Sequence, residues 1–167
     1  MLDYFKQILT SQYEASLAML NQCIEACPSE HWENTIAQGT FGWVAYHTLF
    51  FTDLYLSPSN ESFVLRDLHA GGDERGPDPA PGLSKEATLA YVPLCRKKIY
   101  ESIAAETEES LAGPSGFFWY KITRGEMHLV NIRHIQHHTG QLSAYLRRVD
   151  DQFKDRKTLR WIGSGRR

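Results

Sequence analysis

The chain has 167 residues, 42% of them hydrophobic and 23% charged, with a formal net charge of -2, a balance that builds one core of ordinary stability. Lysine and arginine are dispersed along the sequence, so no basic block recruits nucleic acid. The longest apolar stretch, Phe41 to Leu56, is interrupted by His47, Thr48, Thr52 and Asp53 and falls short of the ~20 residues of a bilayer span, which argues against a membrane helix.

The first element is an amphipathic helix over 2–26, where Leu2, Phe5, Leu9, Tyr13, Leu17, Leu20 and Ile24 recur at steps of three and four. Its opening, MLDYFKQIL, is interrupted by Asp3 and Lys6 and carries no basic leader or small-residue cleavage site, so the expectation is a cytoplasmic protein without a signal peptide. Cys23 and Cys27 continue the apolar stripe and read as small hydrophobes. Together with Cys95 they make an odd number without disulfide-scaffold spacing, and reduced thiols are expected.

Pro28 and Ser29 end the first helix. After the connector EHWENTIAQGT, Thr40 is the N-cap of a second helix over 41–56 that carries Trp43, Val44, His47, Phe51 and Leu54. Pro58 stops it. Residues 57–83 concentrate Gly, Pro, Asp and Ser; a connection beyond ~12 to 15 residues acts as a lid or a long crossover.

Ser84 caps a third helix over 85–109, with Leu89, Val92, Ile99 and Ile103 inward and a break near Pro93. In the next connector four consecutive aromatics, Phe117 to Tyr120, either cap the bundle or wall a pocket. The fourth helix covers 124–149, and a basic tail, FKDRKTLRWIGSGRR, follows. Four helices with long connectors predict an all-α four-helix bundle in one domain over residues 1–167, with at least one crossover link.

Seven histidines are present, and their position relative to the apolar stripes ranks them. On the last helix Met127, Tyr145 and Val149 mark the predicted buried face, with His138 within it and His134 beside it. These two are four apart, the spacing at which imidazoles on one helical face converge on a single ion. On the second helix His47 lies between Val44 and Phe51 on an apolar face. Burying lone imidazoles is costly, and a shared cation satisfies three of them together. His137 falls on the flank. His31, His69 and His128 are expected to face solvent. Asp53 and Gln141 lie near the predicted ligand face, Asp53 as an exposed helix residue and Gln141 as a hydrogen-bonding partner for a ligand; neither is assigned to catalysis.

With HIQHHTGQL on the last helix and a single histidine inside FGWVAYHTLFFTDLYL, the chain resembles the DinB-like superfamily (damage-inducible DinB, YfiT-like), which is distinct from the polymerase sharing that name. Helix order, the long connector after the second helix and the late HxxHHxGQ signature all coincide. The resemblance implies an up-down-down-up bundle, a homodimer, and one divalent ion (nickel, zinc or iron) held by His47, His134 and His138. It implies a metal-dependent hydrolase acting on a small molecule through a metal-activated water. The alternatives are a transferase or isomerase using a low-molecular-weight thiol, or a non-catalytic metal-binding stress-response protein. No carboxylate or nucleophile elsewhere matches a family motif.

Overall fold

The computed structural model describes residues 1–76, 81–154 and 159–165; parts of the long connector and of the basic tail lie outside this range. Five helices order the chain: α1 (Leu2–Ala26), α2 (Phe41–Leu56), α3 (Lys85–Ala105), the short α4 (Glu108–Ala112) and α5 (Arg124–Val149). Among the described residues only isolated β-bridges occur, Thr35 with Thr40 and Pro114 with Thr123, and no helix is long and apolar enough to cross a membrane.

The four long helices form a square in which α1 and α2 each pack against both α3 and α5. Contacts fix their directions. Tyr13 meets His128 and Cys23 meets the Thr139 carbonyl, so α1 and α5 run parallel. Leu49 meets Cys95 and Leu56 meets Ser102, so α2 and α3 run parallel. Lys6 reaches Ala104 and Arg96 reaches Glu14, which sets α3 antiparallel to α1. The order is therefore up-down-down-up, and the connection between α2 and α3 must traverse the length of the bundle.

Helix starts follow local chemistry. Thr40, Ser84 and Thr123 each accept a backbone N–H from three residues on, capping α2, α3 and α5. The third helix departs from the sequence expectation at both marked points. It passes through Pro93 without interruption and ends at Ala105 rather than 109. Thr107 and Ser110 then form a reciprocal capping box that starts α4, and this local competition overrides the helical pattern.

α2 has no polar face: 13 of its 16 residues are buried. The remainder, Trp43, His47 and Phe51, recur every four residues and form its single half-exposed stripe. On α5 Met127 and Tyr145 are buried as expected, and the buried stripe extends over Asn131, Ile135 and Leu142, which moves its centre away from the histidines. Val149, at the helix end, is 41% exposed. His134 and His138 consequently sit at the margin of the buried stripe, both half-buried.

Two buried ionic networks tie the elements together. Arg124, the first residue of α5, donates to the carbonyls of Tyr55, Leu56 and Ser57 at the end of α2 and to Glu106 at 2.8 Å. His128 donates to Glu106 from Nε2 at 3.0 Å and accepts from the Tyr13 hydroxyl at Nδ1. In the second network the Asp53 carboxylate accepts from Arg66 (2.8 Å), His69 (3.1 Å), Tyr91 (2.8 Å) and Lys98. The Arg66 N–H donates to His69 Nδ1, which places that ring's proton on Nε2, facing Asp53.

Three expectations are corrected here. His69 and His128 are buried, 5% and 1% exposed, instead of facing solvent, because each finds a buried carboxylate from another element. Asp53 is likewise buried: six residues at ~100° each carry it about 240° around α2 from His47, away from the ligand face.

Candidate metal centre

The register between α2 and α5 builds the site. Arg124 fixes the start of α5 opposite the end of α2, and Asn131 Nδ2 donates to the Thr52 carbonyl at 3.1 Å. Continuing antiparallel, one to two turns further along α5, His134 and His138 face His47. One ring nitrogen from each of the three lies within 4.8 Å of the others.

His134 Nε2 and His47 Nε2 are 3.4 Å apart. That separation is long for a hydrogen bond. It matches the edge of a tetrahedron with Zn–N bonds of ~2.0–2.1 Å, which is roughly 3.3–3.4 Å.

Ring orientation follows from the outer nitrogens. His138 Nδ1 donates to Gln141 Oε1 at 2.8 Å, one helical turn away, which leaves Nε2 as a lone pair. His47 Nδ1 donates to Glu74 Oε2 at 2.7 Å. His134 Nδ1 is buried without a hydrogen-bond partner; that ring is held by packing, between Phe51 (centroids 5.6 Å apart) and Tyr55 (6.2 Å). Trp43 and Phe51 flank His47 at 4.9 and 4.7 Å.

Charge is kept off the two α5 rings. Burial, reinforced by the neighbouring imidazoles, holds His134 well below its usual pKa. Burial likewise brings His138 down to about 4, against the opposing effect of its hydrogen bond to Gln141. Neutral imidazoles are the form that ligates a cation. The donor set therefore fits a divalent ion in nitrogen type and spacing, and His134 and His138 fit it in protonation state as well.

Residues 12–142 match the sequence profile of the DinB superfamily, well over half of the chain. The chain belongs to the DinB superfamily. No curated protein and no solved structure matches it. A triad of this kind is compatible with metal binding in a DinB-superfamily bundle.

The remaining candidates separate cleanly. His137 is exposed and touches the cluster only through ring contact with His138 at 4.9 Å. His31 Nδ1 accepts from Asn34 Nδ2 (2.9 Å) and meets the Tyr145 hydroxyl (3.0 Å), at the opposite end of α5 from Arg124. The aromatic run divides: Phe117 is buried and packs on Tyr55 (5.1 Å), Tyr120 also packs on Tyr55 (5.9 Å), while Phe118 is 79% exposed. Part of the run thus backs the ring that supports His134. Cys23, Cys27 and Cys95 are buried free thiols; burial raises Cys23 and Cys27 to about 12, which leaves them inert as nucleophiles.

A groove of about 810 Å³ lies elsewhere, lined by residues including Ser57, Phe63, Lys98, Glu106 and Arg124 and by none of the histidines. Ten residues of α5 separate Arg124 from His134, roughly 15 Å. The groove's cations, buried Arg124 and half-buried Lys98, are already engaged by Glu106, the α2 carbonyls and Asp53.

The residue at the site that sequence reasoning missed is Glu74. It comes from the long connector, its side chain is 3% exposed, and it accepts from both His47 and Trp43 Nε1 (3.1 Å). The one sequence signal was an acidic residue among glycines in GGDERG, which reads equally well as a turn.

Proposed function

We propose that His47, His134 and His138 hold one divalent ion, nickel, zinc or iron, and that this DinB-superfamily protein is a metal-dependent hydrolase of a small molecule. The observation carrying the reading is the convergence of three imidazole nitrogens within 4.8 Å at the half-exposed seam of α2 and α5. An ion in an all-imidazole set supplies Lewis acidity to water near neutral pH. The chain's own side chains orient and shelter the donors. Gln141 fixes the His138 ring, and Trp43, Phe51 and Tyr55 exclude water from the ring faces of His47 and His134. The same rings offer an apolar wall to a substrate.

Two features favour catalysis over a structural ion. The described residues offer three donors to the cluster, whereas structural zinc is closed by four. The apolar core and both ionic networks are complete without the triad, so the ion is not needed to hold the helices. The family resemblance supports a homodimer, and three unpaired thiols support a reducing compartment such as the cytoplasm.

Elemental analysis of untagged protein tests the reading. One ion per chain is expected, falling at least tenfold in His47→Ala and in the His134→Ala, His138→Ala double variant. Chelator-treated protein is expected to keep its helical circular dichroism and to lose, then regain with zinc, hydrolysis of a chromogenic ester or phosphoester panel. Unchanged stoichiometry in the variants ends the proposal; unfolding on chelation transfers it to a structural ion.

A further inference from the structure

The long connector does more than cross the bundle. It is fastened at successive points: His69 and Arg66 to Asp53, the Tyr46 hydroxyl to the Gly72 carbonyl, and Arg75 to Asp73 and to the Asn60 carbonyl. Gly71 and Gly82 pass so closely, with the Gly82 N–H donating to the Gly71 carbonyl at 3.1 Å, that a Cβ on Gly71 would lie 2.8 Å from the Gly82 oxygen. Gly82 itself has φ +84°, a conformation that favours glycine. These fastenings deliver one acidic side chain, Glu74, to the half-exposed stripe of α2.

There Glu74 bridges two residues one turn apart. Its Oε1 accepts from Trp43 Nε1 at 3.1 Å and its Oε2 from His47 Nδ1 at 2.7 Å. Indole N–H only donates, so the partner atom must be an acceptor. A carboxylate offers acceptors on both sides, whereas a glutamine would present an NH2 group to one of two donors. The site therefore selects Glu over Gln by hydrogen-bond polarity, although the two have the same shape.

We propose that Glu74 is a positioning residue that holds His47 in its Nδ1–H tautomer, aims the Nε2 lone pair at His134 and His138, and so makes the crossover connector part of the metal centre. Resting on the metal reading above, the inference adds a third orienting device beside Gln141 and the ring packing of His134. Carboxylate–histidine pairs of this kind fix ring orientation and raise ligand basicity, and their loss typically weakens metal binding 10–100-fold. Glu74 does not belong among the ligands, because it engages the ring nitrogen on the side of His47 away from His134.

The test uses the full-length chain and has two independent readouts. In chelator-treated protein, long-range 1H–15N spectra report the His47 tautomer. The wild type is expected to be Nδ1–H, with Glu74→Gln and Glu74→Ala shifting toward Nε2–H and Gln141→Ala leaving His47 unchanged. With zinc as the probe, competition titration is expected to show Kd raised 10–100-fold in both Glu74 variants at unchanged one-to-one stoichiometry, and a smaller rise in Trp43→Phe. Glu74→Gln keeps the side-chain volume, so it remains informative if Glu74→Ala fails to fold. A His47 that stays Nδ1–H in Glu74→Gln, or a Kd within twofold of wild type, overturns the proposal. Wild-type protein that binds no zinc while its His47 tautomer still depends on Glu74 overturns the metal reading alone.

Discussion

Replacing Asp53 with alanine is expected to disturb both stability and the proposed metal centre, although Asp53 and the triad lie on different sides of α2. The carboxylate accepts from Arg66, His69, Tyr91 and Lys98. Removing one partner of a buried charged network costs about 3–5 kcal/mol, because the other groups stay buried without it. Here Arg66 and Lys98 have side chains 53% and 25% exposed and turn toward water. His69 and Tyr91 do not; the His69 N–H can donate to the Tyr91 hydroxyl 2.9 Å away, which leaves one buried donor unsatisfied at about 1–3 kcal/mol, and the lost carboxylate charge adds to it. The expected loss is about 3–4 kcal/mol. At ~2–4 °C per kcal/mol for a chain of this size, that lowers Tm by ~6–16 °C. Scanning calorimetry of chelator-treated protein measures it, with Lys97→Ala, which breaks an exposed i,i+4 pair, as a control expected within ~2 °C. Because His69 and Arg66 fasten the connector that carries Glu74, zinc Kd should rise as well. A Tm indistinguishable from that of the control refutes the account of the network.

Two further predictions concern single groups and pH. Gln141→Ala removes the acceptor of the His138 Nδ1 proton and should raise zinc Kd about tenfold, with Tm of the metal-free protein within ~2 °C, measured by competition titration and thermal melts. Acid stability should follow Glu106, His128 and Asp53. His128, Ser110 and Arg124 overcome the cost of burial and hold Glu106 down at about 2. Its contribution, about 3 kcal/mol, is complete above the unfolded carboxyl value near 4.5 and is lost as pH falls toward 2. Asp53 is depressed in the same direction, its hydrogen bonds from His69, Lys98 and Tyr91 outweighing desolvation. Burial lowers His128 too, so the unfolded chain binds that proton first and stability begins to decline below about pH 6.5. Melts from pH 7 to 2 should show this two-stage fall, and Glu106→Gln should flatten the acid stage; an unchanged acid stage in that variant contradicts the assignment.

The helices were legible because apolar periodicity records burial directly. The bounds of α1, α2 and α5 coincide with the expected ones, and the end of α3 does not, because the capping box of Thr107 and Ser110 is a local hydrogen-bonding choice that periodicity cannot register. The triad was legible by the same logic, with the qualification that all three histidines occupy the margins of their stripes. His69 and His128 were not, since their carboxylates stand 16 and 22 residues away and a buried ionic network leaves no apolar signature. Glu74 was hidden for a related reason: its burial is imposed by fastenings elsewhere in the connector.

The margin position itself explains how a bundle accommodates such a site. A helix buried all round has no place for an open coordination position, and a fully exposed one gives no control over ring orientation. On α2, one stripe of Trp43, His47 and Phe51 lies between these limits. The adjoining helix supplies two donors, and the crossover connector that the up-down-down-up order requires supplies the carboxylate. An all-imidazole set carries no negative charge of its own, and under the proposed reading Glu74, one hydrogen bond removed from the donors, would offset a bound cation without ligating it. With an ion held by the three imidazoles as proposed, the arrangement would favour a small anionic group at the open face.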